Sequence, residues 1–80
     1  MMNRTSLKTG RQLKAARALA GIKQLELAKA AGLHVNSIRY MERKHWITNT
    51  PSIVKRVIAA LERFGVVLVS DPTPGVYMFR

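Results

Sequence analysis

Four hydrogen-bonding side chains and one valine recur along residues 35–43 at the spacing of one face of a helix. At 3.6 residues per turn, five side chains fall at positions i, i+1, i+4, i+5 and i+8, whereas Ile38 and Met41 point to the opposite side. The five are Val35, Asn36, Arg39, Tyr40 and Arg43. Because amide and guanidinium groups each offer several hydrogen bonds, this face is predicted to bind a partner while the other face packs.

Residues that could carry out catalysis or hold a metal ion are few. The two histidines, His34 and His45, lack a neighbouring pair of carboxylates, cysteine is absent, and no glycine-rich loop of phosphate-cradling spacing occurs. An activated nucleophile or a structural zinc site requires such residues. The sequence therefore predicts a protein that is not an enzyme and that uses no metal or cofactor.

The composition indicates one folded and strongly basic domain. In 80 residues, 14 Lys and Arg stand against 4 Asp and Glu, a formal charge of +10, and the 48% hydrophobic fraction is enough for a core. Ten basic and two acidic residues lie in 1–44, a net of +8. A polyanion such as nucleic acid is the natural partner of this half. A solubilising surface, an anionic membrane surface or an acidic protein partner are the alternatives.

Membrane insertion and export are not expected. No apolar run approaches the roughly 20 residues that cross a bilayer. The first five residues also lack the apolar core of a signal peptide. We therefore expect a cytoplasmic protein.

Local signals predict two helices before residues 35–43. Thr9 and Gln12 have the spacing of a capping box, and the helix that they begin is closed by Gly21. A second, short helix covers about residues 24–31, and Gly32 supplies the backbone freedom for the tight turn after it. The apolar faces consist of Leu13, Ala16 and Ala20 in the first helix and Leu27, Ala28 and Ala31 in the second.

A fourth helix follows a loop at residues 44–49. Thr50 is predicted as its N-cap and Pro51 as its first residue, and Gly65 ends it. Its apolar side consists of Ile53, Val54, Val57, Ile58, Leu61 and Phe64. This helix is predicted to form much of the core.

The C-terminal segment predicts a β-hairpin. Residues 66–69 and 76–79 are β-branched and aromatic, and residues 70–75 between them are turn formers. Both faces of this hairpin are apolar, which is more than one short chain can cover. We therefore expect a second copy of the chain to pack there, against Val67, Val69, Val76, Tyr77, Met78 and Phe79.

A helix, a short turn containing glycine and a second helix with a polar outward face form the architecture of a helix-turn-helix. Residues 24–42 also resemble the pattern of the Cro/repressor type (XRE family, lambda-repressor-like) of helix-turn-helix regulators. The matching residues are Gln24, Leu27, Ala28, Gly32, Leu33, Ile38 and Glu42. The resemblance extends over residues 10–64. It implies a mainly α fold, with a lambda-repressor-like domain of four to five helices at 9–64, a flexible segment at 1–8 and the hairpin at 65–80.

The resemblance implies sequence-specific binding to double-stranded DNA, with helix 35–43 in the major groove. Base contacts are expected from Val35, Asn36, Arg39 and Tyr40. Contacts with the DNA backbone are expected from Lys23, Gln24, His34, Ser37, Arg43 and Lys44. It also implies an ion pair between Arg17 and Glu42 that holds the third helix at a fixed angle.

Some residues depart from the family pattern or have a second interpretation. Lys23 and His34 stand where the family has a Ser or Thr N-cap, so each helix is expected to lose about 1 kcal/mol of capping. Trp46 is predicted to be buried beneath the loop, with Tyr40 covering that loop, or else to flank a groove or phosphate. The outer face of the fourth helix is predicted to be solvated at Lys55, Arg56 and Arg63.

The functional hypothesis is a transcriptional regulator of bacterial or phage type that binds a two-fold symmetric operator as a homodimer. An alternative is a protein-binding module, such as an antiactivator or antitoxin-like partner, that uses the hairpin or Leu25. A protein that coats DNA without sequence preference is the third possibility. It would show a salt dependence with little discrimination between sequences.

Overall fold

The computed structural model describes residues 6–69 and 74–78 of the chain. In this part of the chain, four helices are followed by two antiparallel strands. They are α1 Gly10–Ala20, α2 Gln24–Ala31, α3 Val35–Arg43, α4 Pro51–Arg63, β1 Val66–Val69 and β2 Gly75–Met78. The mainly helical fold with a C-terminal hairpin confirms the predicted fold class, and α2 and α3 are the two helices of the helix-turn-helix.

Helix α1 begins with the predicted capping box. The Oγ1 of Thr9 accepts the backbone N–H of Gln12 at 3.1 Å, and the Oε1 of Gln12 accepts the backbone N–H of Thr9 at 3.4 Å. At the other end, Gly21 has a φ of 71°, in the left-handed region that favours glycine. Both ends of α1 are therefore determined by residues within or next to the helix.

The starts of α2 and α3 are better capped than the sequence predicts. The Lys23 side chain cannot accept a hydrogen bond, but the carboxylate of Glu26 accepts the Lys23 backbone N–H at 2.8 Å. The prediction that α3 loses its N-cap at His34 is wrong, because the Nδ1 of His34 accepts the backbone N–H of Asn36 at 3.0 Å. Thr50 occupies the N-cap position of α4, although its side chain makes no capping hydrogen bond.

The core lies between the four helices and one face of the hairpin. Helix α2 contacts α3 and α4, α1 contacts α3 and both strands, and α4 contacts β1. The largest fully buried side chains are Leu13, Leu27, Ile38, Met41, Leu61, Leu68, Val57 and Val66. The sequence predicts Phe64 on the buried side of α4, but it is 38% exposed. Because α4 ends at Arg63 and Phe64 is its C-cap, this ring leaves the apolar side of the helix.

The hairpin has a core face and an outward face. The register pairs Leu68 with Val76 and Val66 with Met78, so these four residues share the core face. The outward face consists of Val67, Val69 and Tyr77. Two of the residues expected to contact a second copy of the chain lie on the core face instead: Val76 packs against the core, and Met78 is exposed at the end of that face. Phe79, also expected there, lies outside the described residues.

Residues 6–8 pack against the domain. Leu7 is buried, and the backbone N–H of Ser6 donates to the carbonyl oxygen of Leu68 at 3.2 Å. The carbonyl oxygen of Lys8 accepts the backbone N–H of Ile47 at 2.8 Å. This part of the segment expected to be flexible is therefore held by the fold, and residues 1–5 of that segment lie outside the described residues.

Gln12 is a buried polar residue that joins the N-terminal segment, α1 and the hairpin. Its Nε2 lies 2.8, 2.9 and 3.1 Å from the carbonyl oxygens of Ser6, Val69 and Gly75. Its Oε1 accepts the backbone N–H of Lys8 at 2.7 Å, in addition to its capping bond. The amide group therefore satisfies donors at the start of α1 and acceptors on both strands at once.

We expect Gln12→Glu to destabilise the protein by about 3 kcal/mol at neutral pH. The introduced carboxylate keeps an oxygen for the capping box but directs its second oxygen at carbonyl oxygens that need a donor. Because this environment raises the pKa of the introduced carboxyl, its protonation should restore part of the lost stability as the pH is lowered. Urea unfolding followed by circular dichroism at pH 7 and pH 5 measures both effects. Equal stability of the variant and the wild type at pH 7 would contradict this account.

Candidate nucleic-acid interface

Helix α3 has one fully buried face and one exposed face. Ile38 and Met41 have no solvent exposure, which confirms the predicted inward residues. The outward side chains that are exposed are Asn36, Arg39, Tyr40 and Arg43. Val35, expected with them, is half-buried and packs against the core. The exposed face therefore presents an amide, a phenol and two guanidinium groups on a helix whose other face is held in place by packing.

Asn36 and Arg39 form a pair on the exposed face of α3. One terminal nitrogen of Arg39, Nη1, donates to the Oδ1 of Asn36 at 3.1 Å. The Nδ2 of Asn36 and the other guanidinium N–H groups remain available to a partner. Such an arrangement can offer hydrogen bonds to the edges of purine bases, where Asn matches adenine and Arg matches guanine.

Tyr40 and Lys44 lie together where α3 ends. The Nζ of Lys44 is 4.9 Å from the centre of the Tyr40 ring, a cation–π distance. The backbone of Lys44 is also held, because its carbonyl oxygen accepts the N–H of Gly10 at 3.0 Å. The Lys44 ammonium group is thereby kept next to the exposed face of α3.

Trp46 is exposed, so the prediction that it is buried beneath the loop is wrong. Its side chain is 56% exposed and lies edge-on to His45, with ring centres 5.3 Å apart. Ile47 packs against the core instead, and its backbone N–H is bound by Lys8. In this loop Ile47, not Trp46, therefore occupies the inward position.

The residues expected to contact a DNA backbone stand at the start of α2 and at both ends of α3. Lys23 and Gln24 are at the start of α2, His34 and Ser37 are at the start of α3, and Arg43 and Lys44 are at its end. Lys23, His34 and Arg43 are exposed, whereas Gln24, Ser37 and Lys44 are half-buried. The amide of Gln24 donates to the Oε1 of Glu42 at 3.0 Å and retains a second N–H.

Arg17, Glu42 and Gln24 join three helices. The Nε of Arg17 donates to the Oε2 of Glu42 at 2.7 Å, and its Nη2 donates to Oε1 at 3.1 Å. The two side chains are 18% and 5% exposed, respectively. Glu42 accepts hydrogen bonds from the guanidinium group and thereby holds the pKa of Arg17 above its usual value, although burial opposes this. The guanidinium group also donates to the carbonyl oxygen of Ile22. The expected ion pair thus links α3 to α1, and the hydrogen bond from Gln24 to Glu42 links α2 to them.

The first turn of α1 lies very close to the end of α3. A Cβ atom at Gly10 would stand 2.5 Å from the carbonyl oxygens of Glu42 and Lys44, and 2.7 Å from that of Met41. Real Cβ atoms do not approach backbone so closely, so only glycine fits. Local sequence patterns did not predict this requirement. Its one signal was a glycine in the first turn of a helix, where no turn needs it.

Two arginines of α4 bind the C-terminal end of α2. Arg56 donates to the carbonyl oxygen of Gly32 at 3.3 Å, and Arg63 donates to that of Ala30. Cations are favoured there because the last carbonyl groups of a helix carry partial negative charge. Both arginines are exposed, as predicted, and these hydrogen bonds are an additional contact that the sequence did not predict.

The cations of the exposed face of α3 and of its C-cap, Lys44, have no carboxylate partner among residues 6–69 and 74–78. Across these residues the only ion pair is that of Arg17 and Glu42, so Arg39, Arg43 and Lys44 contribute unbalanced positive charge. Positive charge on one face favours a polyanionic partner. None of the helices that the structure describes is long and apolar enough to cross a membrane.

Comparison with known families agrees with this architecture. A family model described as helix-turn-helix matches residues 13–66, from the first half of α1 to the start of β1. No curated protein matches the sequence significantly. The family match covers two thirds of the chain and includes both helices of the helix-turn-helix. The chain belongs to the Cro/repressor type (XRE family) of helix-turn-helix proteins, a family of DNA-binding regulators.

Proposed function

We propose that this protein is a transcriptional regulator that recognises a specific sequence of double-stranded DNA by inserting α3 into the major groove. One observation carries the proposal: Asn36 and Arg39 are exposed and hydrogen-bonded to each other, while Ile38 and Met41 anchor the opposite face of the same helix. A pre-positioned amide and guanidinium pair suits direct readout of bases, because specificity requires donors and acceptors in fixed positions.

The proposed contacts divide between bases and backbone. Asn36 binds adenine, Arg39 binds guanine, Tyr40 lies against a neighbouring base, and Val35, despite its partial burial, contacts a thymine methyl group. The proposed contacts with phosphate are made by Lys23, Gln24, His34, Ser37, Arg43 and Lys44. The cap at α3 supports the role of His34, because accepting through Nδ1 leaves the Nε2–H free to donate outward.

The proposed assembly is a homodimer formed through the outward face of the hairpin. This face is built from Val67, Val69 and Tyr77, and Tyr77 is exposed. A two-fold dimer would present two α3 helices to successive major grooves, roughly 34 Å apart, and would select a two-fold symmetric operator. With DNA as its partner, we propose that the protein acts in the cytoplasm of a bacterial cell, encoded by the host or by a phage.

Arg39→Ala is expected to weaken binding to the preferred DNA sequence by about 10- to 100-fold, with a smaller effect on unrelated DNA. The reason is the loss of a two-pronged contact with a base. The preferred sequence is first obtained by selecting genomic fragments on the purified protein at low and near-physiological salt. Affinities for selected and scrambled duplexes are then compared. Lys55→Ala is the matched control, since it removes one positive charge from an exposed site on α4.

Three outcomes separate the possible functions. The proposal is supported if a two-fold symmetric sequence is selected and the Arg39→Ala protein no longer distinguishes that sequence from a scrambled duplex. If no sequence emerges and both variants lose affinity equally, the protein coats DNA through charge alone. If the wild type does not bind DNA at near-physiological salt, a protein-binding role becomes the better explanation. The exposed Leu25 on α2 is the observation that favours that role.

A further inference from the structure

A cleft of about 320 Å³ lies between the first turn of α1 and the end of α3. Its volume is at the lower end of the range for sites that bind small ligands. The residues that line it are Thr9, Arg11, Glu42, Arg43, Lys44 and His45. None of the proposed base contacts lies in it, and Thr9, Arg11 and His45 have no role in the proposed readout of DNA.

The cleft carries an excess of positive charge. Three of the residues that line it, Arg11, Arg43 and Lys44, are cationic. Its one carboxylate, that of Glu42, does not neutralise them, because one of its oxygens is bound by Arg17 and the other by Arg17 and Gln24. Across the described residues no other carboxylate lines the cleft.

The donors around the cleft suit an anion with several oxygens. The guanidinium group of Arg11 offers a planar set of N–H donors. The Oγ1 of Thr9 accepts the N–H of Gln12 in the capping box, which leaves the hydroxyl hydrogen free to donate. The first turn of α1 adds the positive end of the helix dipole. A phosphate group matches this combination in charge and in number of acceptors.

We propose that this cleft binds a phosphate group and that Arg11 is its principal ligand. The phosphate can come from two sources: a phosphodiester of the bound DNA, or a free phosphate compound that reaches the cleft from solution. The first source rests on the proposed function, and the second does not.

The position of the cleft favours the phosphodiester. The residues from Asn36 to Arg43 span about 10 Å along the axis of α3, close to the width of the major groove. A helix that presents Asn36 to the bases therefore brings its far end to the sugar–phosphate backbone. Lys44 lines the cleft and contacts Tyr40, so the cleft is continuous with the exposed face of α3.

The test compares Arg11→Gln with Lys14→Gln. Both remove one positive charge from an exposed position of α1, but Lys14 does not line the cleft. In the first measurement, affinity for a DNA duplex is determined over a series of salt concentrations. In the second, inorganic phosphate is added to each protein and amide NMR signals are followed, with sodium chloride of equal ionic strength as the reference. Thermal unfolding verifies that both variants are folded.

For a phosphodiester ligand, Arg11→Gln should bind DNA about tenfold more weakly than Lys14→Gln and should lower the salt slope by about 0.9. For a free phosphate ligand, the wild type and Lys14→Gln should show saturable shifts of the amide signals of cleft residues, and Arg11→Gln should show none. The two variants should then bind DNA with equal affinity. Either result supports phosphate binding in the cleft. If the two variants behave alike in both measurements, the proposal that Arg11 binds phosphate there is overturned. If the wild type binds no DNA, the phosphate titration alone decides, so the proposed function and the cleft can fail separately.

Discussion

Replacing Gly10 with alanine is expected to lower the free energy of unfolding by about 3 kcal/mol or more, although alanine is the better helix former by roughly 1 kcal/mol. The added methyl group would stand 2.5 Å from two carbonyl oxygens at the end of α3. Backbone cannot move aside as a flexible side chain can, so α1 and α3 must separate. Because a domain of this size is stable by only about 4 to 12 kcal/mol, much of the variant should be unfolded or loosely packed.

Gly21→Ala is the matched control for this prediction. Gly21 has a φ of 71° but nothing within 4 Å of the position of a Cβ atom, so alanine there meets backbone strain without a clash. Its expected cost is about 1 kcal/mol. Urea and thermal unfolding followed by circular dichroism would rank the two variants. A Gly10→Ala protein as stable as Gly21→Ala would show that α1 and α3 can separate at little cost.

Glu42→Leu is expected to destabilise the protein by about 3 to 5 kcal/mol and to weaken DNA binding together with stability. The substitution leaves the guanidinium group of Arg17 largely buried without its carboxylate. It also removes the acceptor for Gln24, and with it the link between α3 and both α1 and α2. Without this link the orientation of α3 should become less fixed. DNA binding should then weaken, because α3 carries the proposed base contacts.

The double variant Arg17→Met with Glu42→Leu isolates the cause. Removing both charges leaves no unpaired ion, so this variant should recover at least half of the stability lost in Glu42→Leu. Glu62→Leu provides the control for loss of a carboxylate, since Glu62 is exposed on α4 and should change stability by about 0.5 kcal/mol or less. If Glu42→Leu costs no more than Glu62→Leu, the ion pair does not hold α3.

Most of the helical architecture was predictable from residues close together in the chain. The capping box of Thr9 and Gln12, the glycine at 21 and the boundaries of α2 and α3 all follow from signals within about four residues. The division of α3 into a buried face with Ile38 and Met41 and an exposed polar face follows from helical periodicity.

The site was predictable only in part. The resemblance to the Cro/repressor type indicated that Arg17 and Glu42 would meet, although they are 25 residues apart. It did not indicate that Gln24 would also bind Glu42, nor that His34 would cap α3 through Nδ1. These bonds depend on side-chain geometry, which neither a family pattern nor the cap preferences of residue types describe.

What the sequence determined by itself is the set of helices, most residues of their inward faces, the hairpin and the excess of positive charge, because each arises from composition or from interactions between near neighbours in the chain. Only the tertiary structure decided that Gln12 would bind carbonyl groups 57 and 63 residues away, that Gly10 would have no room for a methyl group and that Trp46 would be exposed. These features depend on how closely separate elements approach one another. That distance is set by packing of the whole core, to which every element contributes and which no local segment encodes.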